Sequence, residues 1–236
     1  MIARAKFSTK SYRLKTVIKN NMGKIKNVIF DFDGTVADTS EGIIETLRYS
    51  LEQIIGSSDQ FNHETLSKFI GPALTKSYME ITGLSAEQTA RAIACYRQKY
   101  KQGAMYKSKT YDGNIEIFQI LKKRGVKISI ASSKPQEQLE KIIERLDLSQ
   151  YFDIIAGALD DINSDKASVI RRGMLDSNAV MVGDSIYDIL GAKAVGIPCI
   201  GVGFGFGDND EMKGYAPAYF ANSVQQLKEI LLQITE

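Results

Sequence analysis

Asp31 and Asp33, in the stretch Asn27-Val28-Ile29-Phe30-Asp31-Phe32-Asp33-Gly34-Thr35, set two carboxylates at the end of an apolar run, a costly place for charge. Val28 to Phe32 read as a buried strand, and Gly34 ends it. With a period of two, both acids point the same way and crowd each other unless a shared proton or a cation relieves the repulsion. A hard divalent ion supplies that relief. Taken alone, the same residues also describe a strand ending in a solvated Asp-Gly turn.

Other polar residues stand at comparable places. Ser132 and Ser133 follow a second apolar run; ahead of Lys134-Pro135 they also fit a plain helix cap. Lys166 opens a helical pattern, where a cation runs against the helix dipole. Asp184 and Asp188, four apart at a strand-to-helix turn, fall on one helical face and again invite a cation.

The elements that must carry these residues alternate. A helix from Asn114 to Arg124 stops at Gly125, and Val126–Ala131 reads as a strand. Pro135–Leu146 is helical, Phe152–Ala156 a strand, Lys166–Met174 helical and Ala179–Val182 a strand. Helix Ile186–Val195, strand Pro198–Val202, a glycine-rich loop from Gly203 to Gly207, an edge strand at Ala218–Phe220 and helix Val224–Ile234 complete the series. Repeated strand-helix units predict a doubly wound α/β domain with a parallel, Rossmann-like sheet covered on both faces. In such a sheet ligands bind beyond the carboxyl ends of the strands, where the four polar groups can converge.

One block breaks the alternation. Asp38-Thr39-Ser40-Glu41 can cap a helix carrying Ile43, Ile44, Leu47, Leu51 and Ile54-Ile55, which Gly56 ends. Three more helical patterns follow: Glu64 to Ile70, closed by Gly71-Pro72; Ala73 to Thr82; and Ser85 to Lys101, with Ala90, Ile93, Ala94 and Tyr100 along one side. No strand is expected between Asp38 and Ser108. The expected organisation is therefore a basic extension (1–24), a core (25–37 and 111–236) and an inserted all-helical cap (38–110), with hinges at Asp38 and Gly113.

Composition bounds the function. The 236 residues carry a net charge of +2 and are ordinary for a soluble enzyme, with nothing near the ~18 unbroken apolar residues of a membrane span. Cys95 and Cys199 read as plain thiols of a reduced, cytoplasmic protein. Residues 1–26 hold eight Lys or Arg and no acid. Such an arm could bind nucleic acid or membrane, or act as a transit peptide. Met22-Gly23 just ahead of the first strand favours a peripheral extension, and neither a nucleic acid nor a membrane partner is expected.

Taken together, Asp31-Phe32-Asp33-Gly34-Thr35, Ser132, Lys166 and Gly183-Asp184-Ser185-Ile186-Tyr187-Asp188 resemble the motifs of the haloacid dehalogenase-like hydrolases, in order and at fitting spacing. The likeness is to the phosphoglycolate phosphatase-like branch with a helical cap, and covers residue 25 to the C-terminus. It implies that Asp31 attacks phosphorus and becomes an aspartyl-phosphate, and that Asp33 is the general acid and then the base. It implies Mg²⁺ held by Asp31, the Asp33 carbonyl, Asp184 and Asp188, and phosphate oxygens held by Ser132, Lys166 and amides near Phe32, Gly34 and Ser133. Gly71-Pro72 resembles a cap loop placed over the active site. Arg48 and Lys76 are candidates for substrate charge, against the plainer reading of a solvated helix face.

Departures narrow the expectation. Many relatives have Lys-Pro-x-Pro where this chain has Lys166-Ala167-Ser168-Val169, a variant resembling nucleotidase-like and unassigned members of the branch and weakening a specific claim for phosphoglycolate. Sugar phosphomutases carry a histidine early in the first cap helix, where Ile43 and Glu45 stand; His63, the only histidine, reads as a surface residue. Phosphonate hydrolases replace the second aspartate and dehalogenases work without the metal cluster, so Asp33, Asp184 and Asp188 count against both. The resemblance implies a Mg²⁺-dependent phosphatase of a small phosphorylated metabolite, phosphoglycolate-like or a nucleoside monophosphate. Sugar-phosphate phosphatase and pyrophosphatase are alternatives within the superfamily, and a binding protein using the basic arm is an alternative outside it.

Overall fold

The structure, a computed structural model, describes residues 23–72, 74–159 and 165–236. The arm before Gly23 and the expected helix start at Ala73 lie outside these residues. The chain runs β1 (Asn27–Phe30), β2 (Ala37–Asp38), α1 (Ser40–Ile55), α2 (His63–Ser67), α3 (Leu74–Thr82), α4 (Ala86–Lys101), β3 (Lys109–Thr110), α5 (Asn114–Lys123), β4 (Lys127–Pro135), α6 (Gln136–Arg145), β5 (Ile154–Ala158), α7 (Lys166–Gly173), β6 (Ala179–Gly183), α8 (Ile186–Val195), β7 (Cys199–Val202), α9 (Asn209–Gly214), β8 (Tyr219–Ala221) and α10 (Val224–Ile234).

Six strands form one parallel sheet in the order β5-β4-β1-β6-β7-β8. β1 sits inside it, all four residues buried, which is why its sequence is an unbroken apolar run. Its side chains alternate between two cores. Val28 and Phe30 join Phe118, Leu139 and Ile142 on one face; Ile29 joins Val169, Ile170 and Ile189 of α7 and α8 on the other. The chain leaves β1 toward β4 and leaves β6 toward β7, so strand order reverses between β1 and β6. That reversal opens the crevice in which doubly wound sheets bind ligands.

The helical block enters and leaves the core through β2 and β3, a two-residue antiparallel pair with Ala37 opposite Thr110 and Asp38 opposite Lys109. Such short strands carry no periodic signal. Asn114 at the start of α5 braces the connection, its amide donating to the Thr35 and Val36 carbonyls at 2.9 and 3.1 Å. Between β2 and β3 the described residues are helical or irregular. α1 buries Ile43, Ile44, Leu47 and Leu51 as expected, and ends at Gly56 with φ 82°. On α4 half of the expected face holds: Tyr100 is buried and Ile93 packs half-buried against the core, but Ala90 and Ala94 are exposed and Thr89, Ala92 and Tyr96 are buried in their place. Two tyrosines remove far more surface from water than alanines do, so they choose the rotation of the helix.

Two other expectations change. β4 runs on through Ser132 and Ser133 to Pro135, with its register to β5 shifting after Ala131. α6 then starts at Gln136 without a side-chain cap, so the serines are strand residues. α9 was not expected; Asp208 starts it by accepting the Asp210 and Glu211 amides, both at 2.9 Å. Among the described residues, no helix is long and apolar enough to cross a membrane.

Phe118 meets Phe30 edge-on at 5.4 Å and Phe152 at 5.2 Å, joining β1 to the helix layer. Phe118→Ala is expected to lower unfolding free energy by about 3–5 kcal/mol, measured by urea denaturation. A loss below about 1 kcal/mol would contradict this packing.

Candidate active site

Asp31 follows Phe30 and keeps the parity of Ile29, so it faces α7 and α8; its amide donates to the Val182 carbonyl at 2.8 Å. Its Oδ1 lies 2.9 Å from Lys166 Nζ, which is also 2.8 Å from Asp188 Oδ1 and donates to the Ala131 carbonyl at 3.2 Å. Lys166 is the first residue of α7, and these two carboxylates offset its unfavourable place on the helix dipole. Burial alone would depress the lysine, but Asp188 and Asp31 outweigh it and hold it above its ordinary range. Gly191 on α8 allows the approach, since a Cβ there would lie 2.7 Å from Lys166 Cγ.

Asp184 follows β6 at the neighbouring strand tip. Its Oδ2 accepts the Phe206 amide at 2.7 Å and its Oδ1 accepts the Thr35 hydroxyl at 3.4 Å. Backbone walls this carboxylate in. A Cβ on Gly34, where φ is 78°, would lie 2.1 Å from Asp184 Oδ2; on Gly205, 2.4 Å from the same oxygen; on Gly207, 1.8 Å from the Asp184 carbonyl. The glycine-rich loop is thus a lid on one acid. Asp188 is fully buried in the first turn of α8, where its Oδ2 accepts from the Ser185 amide at 3.0 Å and hydroxyl at 2.6 Å. Asp184 precedes that helix, so the two acids do not share a helical face; the capping box turns Asp188 back toward the strand tip instead.

Asp31, Asp184 and Asp188 each offer a buried oxygen, and these atoms lie within 4.8 Å of one another. Each ionised pair repels by about 3 kcal/mol at an effective dielectric near 20, against a single ammonium. Burial first, with Asp188 also acting against the pull of Lys166, pushes the Asp31 carboxyl up to about 7. Burial first, then Asp31 and Asp188, raises Asp184 well above the carboxylate range. Among the described residues, Asp31 Oδ1 and Asp188 Oδ1 accept no hydrogen bond, although the ammonium stands at ion-pair distance. Three hard oxygens carrying more negative charge than Lys166 balances fit a divalent cation such as Mg²⁺.

Asp33 has partners of its own, while its charge still counts, after burial and Asp188, among the causes that raise Asp31. The strand ends at Phe30 and the chain turns, the Thr35, Val36 and Ala37 amides all reaching back to the Phe32 carbonyl. Asp33 Oδ1 therefore accepts from the Thr39 hydroxyl at 2.6 Å and pairs with Lys134 Nζ at 3.2 Å. Thr39, the residue ahead of α1, makes no cap with its side chain. The Gly34 amide donates to the Ala37 carbonyl at 2.9 Å. Ser132 is buried beside Lys134, whose amide donates to its hydroxyl at 3.3 Å, and Ser133 is half-buried.

The candidates on the helical block separate. Gly71, with φ 107°, would place a Cβ 3.9 Å from that of Ser185, so the Gly71-Pro72 loop lies over the Asp184–Asp188 turn. Lys76 is exposed; its Nζ donates to the Tyr187 hydroxyl at 3.4 Å and stands 4.0 Å from Glu80. Arg48 is half-buried and donates to the Ser58 hydroxyl within the helical block at 3.4 Å. His63 is exposed at the start of α2. Sequence reasoning missed Lys134, Thr39 and Tyr100, whose hydroxyl accepts from Lys134 Nζ at 3.0 Å. A lysine directly after two serines at a strand end was the one available signal.

With this geometry in place, comparison is decisive. A family model described as haloacid dehalogenase-like hydrolase matches residues 28–202. The chain belongs to that family. It is 31% identical over 211 residues to a 5′-nucleotidase of Pseudomonas aeruginosa, across 87% of this chain and 95% of the relative. Pyrophosphatase PpaX of Bacillus mycoides is 30% identical over 218 residues, across 89% and 99%. A crystal structure of a predicted phosphatase from Clostridium acetobutylicum has a TM-score of 0.83 and 36% identity, covering 89% of this chain and all of the other.

The charge imbalance of this haloacid dehalogenase-like hydrolase gives a pH dependence. Between the ordinary value of 3.8 and about 7, folded metal-free protein keeps a proton on Asp31 that the unfolded chain has lost. Metal-free stability therefore falls as pH rises through that window. A divalent ion competes with the same proton, so its stabilisation grows across it. Mg²⁺ is expected to raise the melting temperature, relative to chelator, more at pH 8 than at pH 5.5. An equal or larger shift at pH 5.5 would contradict the cluster.

Proposed function

We propose that this hydrolase is a Mg²⁺-dependent phosphomonoesterase acting on a small, soluble organic phosphate in the cytoplasm, through an aspartyl-phosphate. The observation that supports this reading best is the convergence of Asp31, Lys166, Asp184 and Asp188 from three separate segments, with a second carboxyl, Asp33, held by Lys134 and Thr39. Asp31, Asp184 and Asp188 would hold the ion, with the Asp33 carbonyl as a further donor, and the ion would shield phosphate from the attacking carboxylate.

The chain's own groups do the rest. An Asp31 oxygen attacks phosphorus in line; the phosphorus–oxygen bond to the leaving group breaks, and a proton on Asp33 passes to the leaving oxygen. Asp33 then takes a proton from water as that water attacks phosphorus, breaking the bond to Asp31 and releasing inorganic phosphate. Both Thr39 and Lys134 engage Asp33 Oδ1, and Oδ2 accepts no hydrogen bond among the described residues; Oδ2 is the oxygen placed to carry the proton. Lys166 at the start of α7 and Ser132 in the last part of β4, both buried, hold non-bridging phosphate oxygens, with main-chain amides near Phe32 and Ser133. The Gly71-Pro72 loop and Lys76 border the entry side.

The 5′-nucleotidase relative and the Lys166-Ala167-Ser168-Val169 departure favour a nucleoside monophosphate among the candidate esters. The PpaX relative supports a second reading, pyrophosphate. A panel of nucleoside monophosphates, phosphoglycolate, sugar phosphates and pyrophosphate with Mg²⁺ separates these. Asp31→Asn is expected to lower turnover at least about a thousandfold while the protein stays folded. Turnover near the wild-type rate in that variant would remove Asp31 from the nucleophile's role.

A further inference from the structure

The helical block reaches the proton-carrying carboxyl through one buried lysine. Lys134 ends β4 with a side chain only 6% exposed. Its ammonium lies 3.2 Å from Asp33 Oδ1, donates to the Tyr100 hydroxyl at 3.0 Å and stands 4.9 Å from the centroid of the Tyr100 ring. Burial by itself would depress this lysine; Asp33 and Tyr100 outweigh it and hold it above its ordinary range. Tyr100 is 1% exposed. Its ring stacks on Tyr96, one turn earlier on α4, at 5.4 Å and 15°, so the hydroxyl is fixed in place.

Resting on the phosphatase reading above, we propose that Lys134 and Tyr100 are positioning residues for Asp33, aiming its Oδ2 at the leaving oxygen only while the helical block is closed on the core. Tyr100 belongs to α4 and Lys134 to β4, so opening the block removes the acceptor that orients the ammonium. Lys134 then keeps Asp33 but loses the second point that fixes its direction. Thr39, at the connection into the block, binds the same oxygen of Asp33 and moves with it. Acid competence is thereby tied to closure, and an open site that water can enter has a poorly aimed acid.

A contact that only held the block shut would slow every substrate alike. A contact that aims the acid matters in proportion to how much the leaving group needs a proton. Leaving-group dependence of kcat/KM, which reports the steps up to transfer of the phosphoryl group to Asp31, distinguishes them. The probes are a nucleoside 5′-monophosphate, whose alkoxide leaves poorly, and p-nitrophenyl phosphate, whose phenolate leaves without a proton.

Tyr100→Phe keeps the ring, the stack on Tyr96 and the cation–π contact, and removes one hydrogen bond to a charged donor. It is expected to lower kcat/KM about tenfold on the nucleotide and about twofold or less on p-nitrophenyl phosphate, with an unchanged melting temperature. Lys134→Met is expected to show the same asymmetry, larger, and decides the matter if Tyr100→Phe fails to fold. An equal fall on both esters, or no fall on either, would overturn the positioning role while leaving the phosphatase reading intact. Wild-type protein that hydrolyses neither ester would overturn that reading and this role with it.

Discussion

Three buried carboxylates facing one ammonium at the reversal point of a parallel sheet are the constraint on which the rest of the structure depends. Asp31, Asp184 and Asp188 come from two strand tips and a helix start, and their oxygens lie within 4.8 Å. Nothing about packing demands this; apolar residues at those positions would fold more easily. The surrounding structure holds the arrangement against its own repulsion. Lys166 sits at the start of α7, where the dipole disfavours it, because only there does its ammonium reach both Asp31 and Asp188. Ser185 spends its amide and hydroxyl on Asp188, and Phe206 its amide on Asp184.

The same constraint explains where glycine is required. Gly34, Gly205 and Gly207 bring main chain against Asp184, and Gly183 does so against Asp188, where a Cβ would lie 2.2 Å from Cγ. A carboxylate walled by backbone has one orientation, which is the condition for a site whose charges need not reorganise during reaction. Asp33, by contrast, is held by side chains: Thr39 at the connection into the helical block and Lys134, itself tied to Tyr100. Asp31 stands on the core sheet, whereas Asp33 is tied to residues of the helical block and its connection.

Much of this was legible in the sequence because it is written in local signals. The apolar run ending in Asp31, the strand ending in Gly183-Asp184 and the helix opening at Lys166 each announce a strand tip or helix start, and the alternation of elements brings the tips together. What was not legible depends on contacts between distant segments. Tyr100 looks like one more apolar residue on an amphipathic helix, and the choice of Tyr96 over Ala90 and Ala94 beside it is made by what α4 packs against. Ser132-Ser133-Lys134-Pro135 reads equally well as strand or helix cap until pairing with β5 extends the strand. The partners of Asp33, Thr39 and Lys134, could not be seen from a period of two, since the turn closed on the Phe32 carbonyl takes Asp33 out of the strand. β2 and β3, two residues each, carry no period at all.

The most direct measurement is anomalous diffraction from crystals grown with Mn²⁺, a carboxylate-preferring ion that stands in for Mg²⁺. A shared site predicts one strong peak among Asp31, Asp184 and Asp188, lost in Asp184→Asn crystals of the same fold. No peak there, with Lys166 still bridging Asp31 and Asp188, would contradict it.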